Sequence, residues 1–499
     1  MTTLVQIPTG LSSPELEILL SRAQASINDS SSKTIIVSCS GGPGYACSLN
    51  IYGLKPICSV CKSLIRKGIS ELKGDYELIE TPSIVNLSST KIFNNSIFNS
   101  RYLIKQYSIS NVDIGQSAYS SYIGLSRDQD LEGFLSEWSL KRLVNSSAHL
   151  IDWYQKLLDD FQVTKVILYN GRQSQYRPLL RIAQNKGIPV DVMEFSGQNH
   201  QCVYLFENEL PQDLNALEGS INRVFEDLST KKDVNEIASQ YYAFKRSGGV
   251  VNDIRSYVLG QKAGLLPKDW DVSKHNVVIF NSSEDEYAAV GGEYDKTLYR
   301  NQTDAITRLC ESLSDDAEIM LWLRIHPNLQ GVNWTFAKKL LELADLFPNI
   351  HVIPGNSIVS SYALLDACNT ALSFGSTMGI EAAYWGKPSI LVGRCVYEKF
   401  GSVYTPQSHS EVISLVRNRM LRPLAIDGAL KIAFFWKVGG NEISFFGGNR
   451  SEGFNFNNKI IKKDLIETIK YNATKFAEKY VYGYVINYGF FFISKLIKR

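Results

Sequence analysis

ALSFGSTMGIEAAYWGKPSILVG, residues 371–393, spells out a strand, a turn, a helix and a second strand in one short run. Ala371 to Phe374 is apolar and reads as a strand. Gly375, Ser376 and Thr377 make a small-residue turn, and Met378 to Trp385 reads as a helix stopped by Gly386. Pro388 to Val392 is the next strand. A turn of Gly, Ser and Thr at a helix start offers unpaired backbone N–H groups, a favourable dipole and hydroxyl donors, and so suits an anion. Glu381 lies one turn further on. A carboxylate repels phosphate but accepts hydrogen bonds from sugar hydroxyls, so the pair suits a ribose-bearing nucleotide mono- or diphosphate.

Working upstream, Met320 to Ile325 (MLWLRI) reads as a buried strand that runs into His326, Pro327 and Asn328. Pro327 ends strand pairing and fixes the turn. Ligands of open parallel sheets bind outside the carboxyl ends of strands. Arg324 and His326, two apart, are expected to reach one face there.

The chain has 499 residues, too many for one ordinary core, and two principal domains are expected. A net charge of +2 argues against a dedicated nucleic-acid binder. The amino terminus has neither a basic nor an apolar leader segment, so a cytoplasmic, reducing setting with free thiols is expected for its eight cysteines. Cys58 and Cys61 form a C-x-x-C pair, but Cys39 and Cys47 supply no matching second knuckle, so packing is favoured over zinc.

Thr34 to Ser38 reads as the first strand, running into a glycine-rich loop that includes Gly41 and Gly42. The loop lacks dinucleotide-fingerprint spacing and either lets a ligand approach closely or simply turns. Residues 75–130 look irregular, and Asp128-Gln129-Asp130 reads as a solvated turn or a helix start. A helix follows over 131–161. Strands at 163–169 and 188–193 flank a helix at 176–186 and end in polar groups, Asn170 and Arg172 after the first and Glu194 after the second. That unit predicts a parallel sheet. A charged helical stretch over 214–260 leads to an expected linker near 265–274. Strands at 277–280, 320–325, 350–353, 371–374 and 388–392 then alternate with helices, predicting a second doubly wound sheet. Domains are therefore expected at 1–268, 269–430 and 431–499. Residues 459–499 carry nine Lys or Arg and three acids, a balance of +6. Their aromatic run, 480–493, is too short to span a bilayer and fits a helix on the inner membrane surface.

The series SSEDE, RIHPN and FGSTMGIEAAYWGKPSI resembles the C-terminal half of bacterial capsule polysaccharide biosynthesis proteins of the GT-B glycosyltransferase type. CSLNIYG, CSVCKS and NGRQSQYRPLL resemble the partner half more weakly. The resemblance implies two Rossmann-like domains facing across a cleft, with a nucleotide sugar as donor substrate, no cofactor and no bound metal. It matches His326, Ser376 and Thr377 to donor-phosphate ligands and Glu381 to a ribose ligand. Arg324 and Gly375 complete the expected donor site. Gly41, Gly42, Asn170, Arg172 and Glu194 fall on the acceptor side, for a saccharide or glycolipid. The base is left open: Glu284, Asp285 and Glu286 are candidates, with Glu194, and His326 is counted with the catalytic groups. A nucleotide-sugar 2-epimerase of similar fold and a non-catalytic assembly subunit are the rival readings.

Overall fold

The structure, a computed structural model, describes residues 1–41, 46–82, 95–196, 202–249, 257–442 and 453–478. It divides into two compact units. The first holds residues 1–196, 200–211 and 440–499, and the second holds 197–199 and 212–439.

The first unit runs β1 (Thr2–Ile7), α1 (Ser13–Asn28), β2 (Lys33–Ser38), α2 (Lys55–Ile69), β3 (Glu77–Glu80), α3 (Arg101–Gln106), α4 (Ile114–Ser126), α5 (Ser136–Asp160), β4 (Lys165–Tyr169), α6 (Arg177–Asn185), β5 (Val190–Phe195) and β6 (Cys202–Glu207). The second unit continues with α7 (Leu214–Leu228), α8 (Val234–Arg246), β7 (His275–Phe280), α9 (Glu284–Val290), α10 (Gln302–Ser312), β8 (Ile319–Arg324), α11 (Thr335–Leu346), β9 (Ile350–Ile353), α12 (Ser361–Ala367), β10 (Thr370–Ser373), α13 (Met378–Tyr384), β11 (Ser389–Leu391), α14 (His409–Arg417) and α15 (Asp427–Val438). The chain then returns to the first unit as β12 (Asn441–Glu442), β13 (Phe454–Phe456), β14 (Lys459–Ile461) and α16 (Leu465–Ala477).

The first sheet has the order β12-β6-β5-β4-β1-β2-β3 and the second β11-β10-β7-β8-β9. Strands β3, β2, β1, β4 and β5 are mutually parallel, and β6 and β12 add antiparallel pairings. The second sheet is wholly parallel. Numbered within each unit, both parallel cores follow the order 3-2-1-4-5, that of a doubly wound, Rossmann-like sheet with its switch point between strands 1 and 4. The chain is thus an α/β protein with two Rossmann-like sheets. Helices cover the faces, which is why strands such as β7 are buried along their whole length.

Two sequence expectations about strands and helices change. The first strand is β1, not β2, and β1 lies in the middle of its sheet. Its apolar run is broken by Thr3 and Gln6, yet both are buried and bonded: Thr3 Oγ1 lies 2.9 Å from Ser32 Oγ, and Gln6 Nε2 donates to Tyr154 OH at 2.8 Å. Residues 75–130 contain β3, α3 and α4. Helix α4 buries serines whose hydroxyls donate back to its own carbonyls, Ser117 to Ile114 at 2.9 Å and Ser121 to Ser117 at 2.8 Å, so it shows no apolar period. Asp128 is not solvated: it is buried and accepts from Tyr122 OH at 2.7 Å and from the N–H groups of Glu132 and Gly133 at 2.8 Å.

The unit boundaries fall at 211/212 and 439/440 rather than at 268/269 and 430/431. Helices α7 and α8 pack on α15, with Tyr242 OH donating to Ala429 O at 2.8 Å and Phe225 against Phe434 at 5.7 Å. The expected linker is pinned to the second unit: Lys262 N donates to Ile358 O at 2.8 Å, Ser360 N to Leu265 O at 3.0 Å, and Trp270 lies 4.9 Å from Trp322. No helix among the described residues is long and apolar enough to cross a membrane. The expected membrane-surface segment, 480–493, and Gly42 lie outside the described residues.

Candidate functional site

At the switch point of the second sheet, β7 and β10 lie side by side and their following loops are tied together. Ser282, just past β7, donates from its hydroxyl to Phe374 O at 2.8 Å. Tyr287 on α9 donates to Gly375 O at 2.7 Å, and Tyr397 donates to Ser376 O at 2.5 Å. Burial holds both phenols well above their ordinary pKa, so they remain neutral donors.

Three successive carbonyls are therefore held by side chains from within the unit. In a trans peptide the N–H points opposite to the preceding C=O. The N–H groups of Gly375, Ser376 and Thr377 are accordingly turned away from Ser282, Tyr287 and Tyr397. Among the described residues none of the three donates to a protein acceptor. Gly375 has φ +88°, a left-handed value, and a Cβ there would meet Tyr287 OH at 2.9 Å and Arg394 O at 3.0 Å. Ser376 is buried, while Thr377 reaches the surface. Successive N–H groups in such a turn form a concave anion-binding nest.

His326 follows β8 on the other side of β7. Its backbone N–H donates to Asn281 Oδ1 at 2.7 Å, and its Nδ1 accepts from Asn328 N at 3.1 Å. With Nδ1 as acceptor, the neutral ring carries its proton on Nε2 and presents a donor. The ring packs edge-on to Tyr257 at 4.7 Å. The β7 loop thus bonds both neighbours: Asn281 holds the His326 turn and Ser282 holds the Gly375 loop. Beside the His326 turn opens a recess of about 380 Å³ whose lining includes Tyr257, Gln261, Asn328, Gly355 and Asn356. Gly355 approaches the turn so closely that a Cβ would meet His326 O at 3.1 Å.

Several expected site residues do other work. Arg324 is engaged within the unit: it is buried, and its guanidinium donates to Pro354 O at 2.6 Å, Ser361 Oγ at 3.2 Å and Ser357 O at 3.3 Å. Burial without a charged partner lowers its pKa to about 10. It clamps the loop after β9. Glu381 is 2% exposed; its oxygens accept from Thr377 Oγ1 at 3.0 Å and from Tyr362 OH at 2.5 Å, so it braces the loop instead of meeting ribose. The Thr377 hydroxyl is spent in the same bond, and only its N–H joins the nest. Asp285 is 0% exposed and so out of reach of an acceptor. Glu284 accepts from Gln302 N at 3.3 Å, at the start of α10, and Glu286 accepts from Asn328 Nδ2 at 2.7 Å.

The carboxyl edge of the first sheet is chemically different. Glu194 accepts from Tyr169 OH at 2.8 Å and from Asn170 Nδ2 at 2.5 Å. Asn170 holds φ +58° and its Oδ1 accepts from Arg172 N at 3.2 Å, so these three residues form one turn. Glu15, in the first turn of α1, is buried, and its carboxyl is pushed well above the ordinary range, first by burial and then by the Glu194 charge. Gly41, at φ +62°, lines a cavity of about 60 Å³ together with Cys39, Cys47, Cys58 and Cys61. All four thiols are raised, chiefly by burial, with Cys39 at about 12. Among the described residues no group of three or more His, Cys, Asp or Glu is placed to hold a metal ion.

No protein-family model matches the chain, and no curated protein matches its sequence. Solved structures similar to it include the β-Kdo 2,4-transferase KpsC of Thermosulfurimonas dismutans, at 14% identity over 54% of this chain and 79% of that one, with a TM-score of 0.34. The UDP-GlcNAc 2-epimerase of Neisseria meningitidis is similar at 12% identity over 88% and 97%, with a TM-score of 0.25. The spinosyn rhamnosyltransferase SpnG is similar at 10% identity over 87% and 94%, with a TM-score of 0.24. The fold assignment rests on the strand orders above, and these superpositions add no site residue to it.

Sequence reasoning missed Asn281, Tyr287, Tyr397 and Glu15. The first lies in a polar cluster directly after a buried strand, which is a usable signal at a sheet's carboxyl edge. The two tyrosines and Glu15 meet their partners only through the fold.

Proposed function

We propose that the chain is a glycosyltransferase that binds a nucleotide sugar on the second unit and transfers the sugar to a saccharide or glycolipid acceptor of a surface polysaccharide. The observation that carries this reading is the nest of three N–H groups, with His326 held on the same sheet edge through Asn281 and Ser282. Together they offer donors to a phosphate without a metal. The recess beside His326 has amide and backbone edges and room for a nucleobase.

In the reaction the acceptor oxygen forms a bond to the anomeric carbon, whose bond to the leaving phosphate oxygen breaks with its electron pair. Negative charge grows on that phosphate as the bond opens. Donors already aimed at it stabilise the transition state more than the ground state. The acceptor hydroxyl passes its proton to a carboxylate. We assign no residue to this role: Asp285 and Glu15 are both enclosed, and Glu284 and Glu286 are engaged by Gln302 and Asn328.

Incubating the chain with donor alone and with donor plus acceptor tests the reading. A transferase gives product only with acceptor, whereas an epimerase converts donor alone. His326→Ala should abolish transfer with the fold retained; unchanged transfer by this variant overturns the assignment of the phosphate site.

A further inference from the structure

The carboxyl edge of the first sheet holds the cavity of about 60 Å³ that Gly41 lines. It lies beyond the ends of β1, β2 and β4, at the switch point between β1 and β4, where parallel sheets receive ligands. Helix α2 forms one wall with Cys58, Cys61 and Ile65, whose spacings of three and four put them on one helical face. Helix α5 forms another with Leu150 and Tyr154.

These walls favour hydrocarbon over an ion. Lys62 is the one charged residue among the described lining, and it contributes its stem, because its ammonium donates to Ser40 O at 2.7 Å and to Glu80 Oε2 at 3.2 Å. The thiols are fixed as weak acceptors: Cys61 Sγ accepts from Gly10 N and Cys58 Sγ from Asn50 Nδ2, both at 3.1 Å. Burial keeps them protonated, so the wall is neutral and polarisable.

Two polar groups interrupt the apolar lining. Gln6 is 1% exposed; its Nε2 donates to Tyr154 OH and to Gln175 O, each at 2.8 Å, while its Oε1 has no partner among the described residues. Ser174 is 2% exposed and directly precedes Gln175. Its backbone is committed, with N donating to Ser121 Oγ at 2.8 Å and O accepting from Ser147 Oγ at 3.0 Å. Its hydroxyl has no partner among the described residues. A buried polar group without a partner is costly, so both point to something that the cavity receives. A ligand hydroxyl can give its proton to Gln6 Oε1 and accept one from Ser174 Oγ. Water needs two to four polar partners and would leave the alkyl and thiol walls uncovered.

We propose that the cavity binds a small neutral alcohol, with its hydroxyl between Gln6 and Ser174 and its hydrocarbon part against α2 and α5. A water-sized sphere takes roughly 10–15 Å³, so the volume admits about four to six non-hydrogen atoms. The proposal does not rest on the transferase reading.

Isobutanol is of that size and serves as the probe, titrated against the full chain by ligand-observed NMR with isobutyrate as the charged control. Saturable binding is expected for isobutanol and none for isobutyrate. Ala46→Leu extends a buried lining residue into the cavity and should abolish binding. Ser174→Ala removes a hydroxyl that no described residue engages, so it should leave the melting temperature unchanged and weaken binding about tenfold. Should Ala46→Leu not fold, Ser174→Ala decides alone. Absence of saturable binding, which leaves water as the occupant, binding that either variant leaves intact, or equal binding of isobutyrate would each overturn the proposal.

Discussion

The two sheets share one strand order and differ in what their carboxyl edges carry. The second sheet's edge is built from neutral donors: serine and tyrosine hydroxyls hold three carbonyls, and an asparagine holds a histidine turn. The first sheet's edge is built from acceptors, two carboxylates and a cavity lined by neutral thiols. Topology places loops at a switch point in both units, while the side chains decide whether the edge presents donors or carboxyl groups.

The largest expected effect breaks the donor-rich edge. Gly375→Val puts a branched side chain at φ +88° and against Tyr287 OH and Arg394 O. Backbone strain alone should cost about 2 kcal/mol, and the loop should no longer hold its carbonyls inward. Thermal melts with and without nucleotide should then show a lower midpoint and no stabilisation by ligand. Asn281→Leu is a milder cut. It leaves the half-buried His326 N–H without its acceptor, a loss of about 1 kcal/mol by denaturant titration, and weakens nucleotide binding through displacement of the histidine.

Glu15 tests the other edge. Its folded-state pKa lies above the unfolded value of 4.5, so its contribution to stability is fully present below that value and is lost as pH rises through the folded value. Glu15→Gln should flatten this fall, leaving the variant more stable than the parent at neutral pH, by more than the about 0.5 kcal/mol of an ordinary surface change. A variant less stable than the parent at neutral pH would break the contrast between the edges.

Much of the second unit was legible in its sequence because its strands are unbroken apolar runs. The strand expected at 350–353 matches β9, and the helix expected at 378–385 ends one residue earlier as α13. The turn of Gly375, Ser376 and Thr377 was legible as well, since glycine with small hydroxyl residues has few other uses between a strand and a helix. The first unit was less so. Strand β1 interleaves polar residues that bond to distant partners, and α4 is a buried helix of serine and tyrosine. Side-chain direction was the least legible property. Spacing allowed Arg324 to join His326, but the carbonyls of Pro354 and Ser357 capture it. Glu381 was open to ribose by position and is closed by Tyr362, a partner 19 residues away. Such pairings follow from tertiary packing and leave no local pattern.

The central claim is that phosphate is gripped where the β7 loop joins the His326 turn to the Gly375 loop. A crystal structure with a bound nucleoside diphosphate tests it most directly. The account predicts phosphate oxygens within hydrogen-bond distance of the Ser376 and Thr377 N–H groups and of His326 Nε2. A phosphate bound at the carboxyl edge of the first sheet, with the Gly375 loop empty, would contradict it.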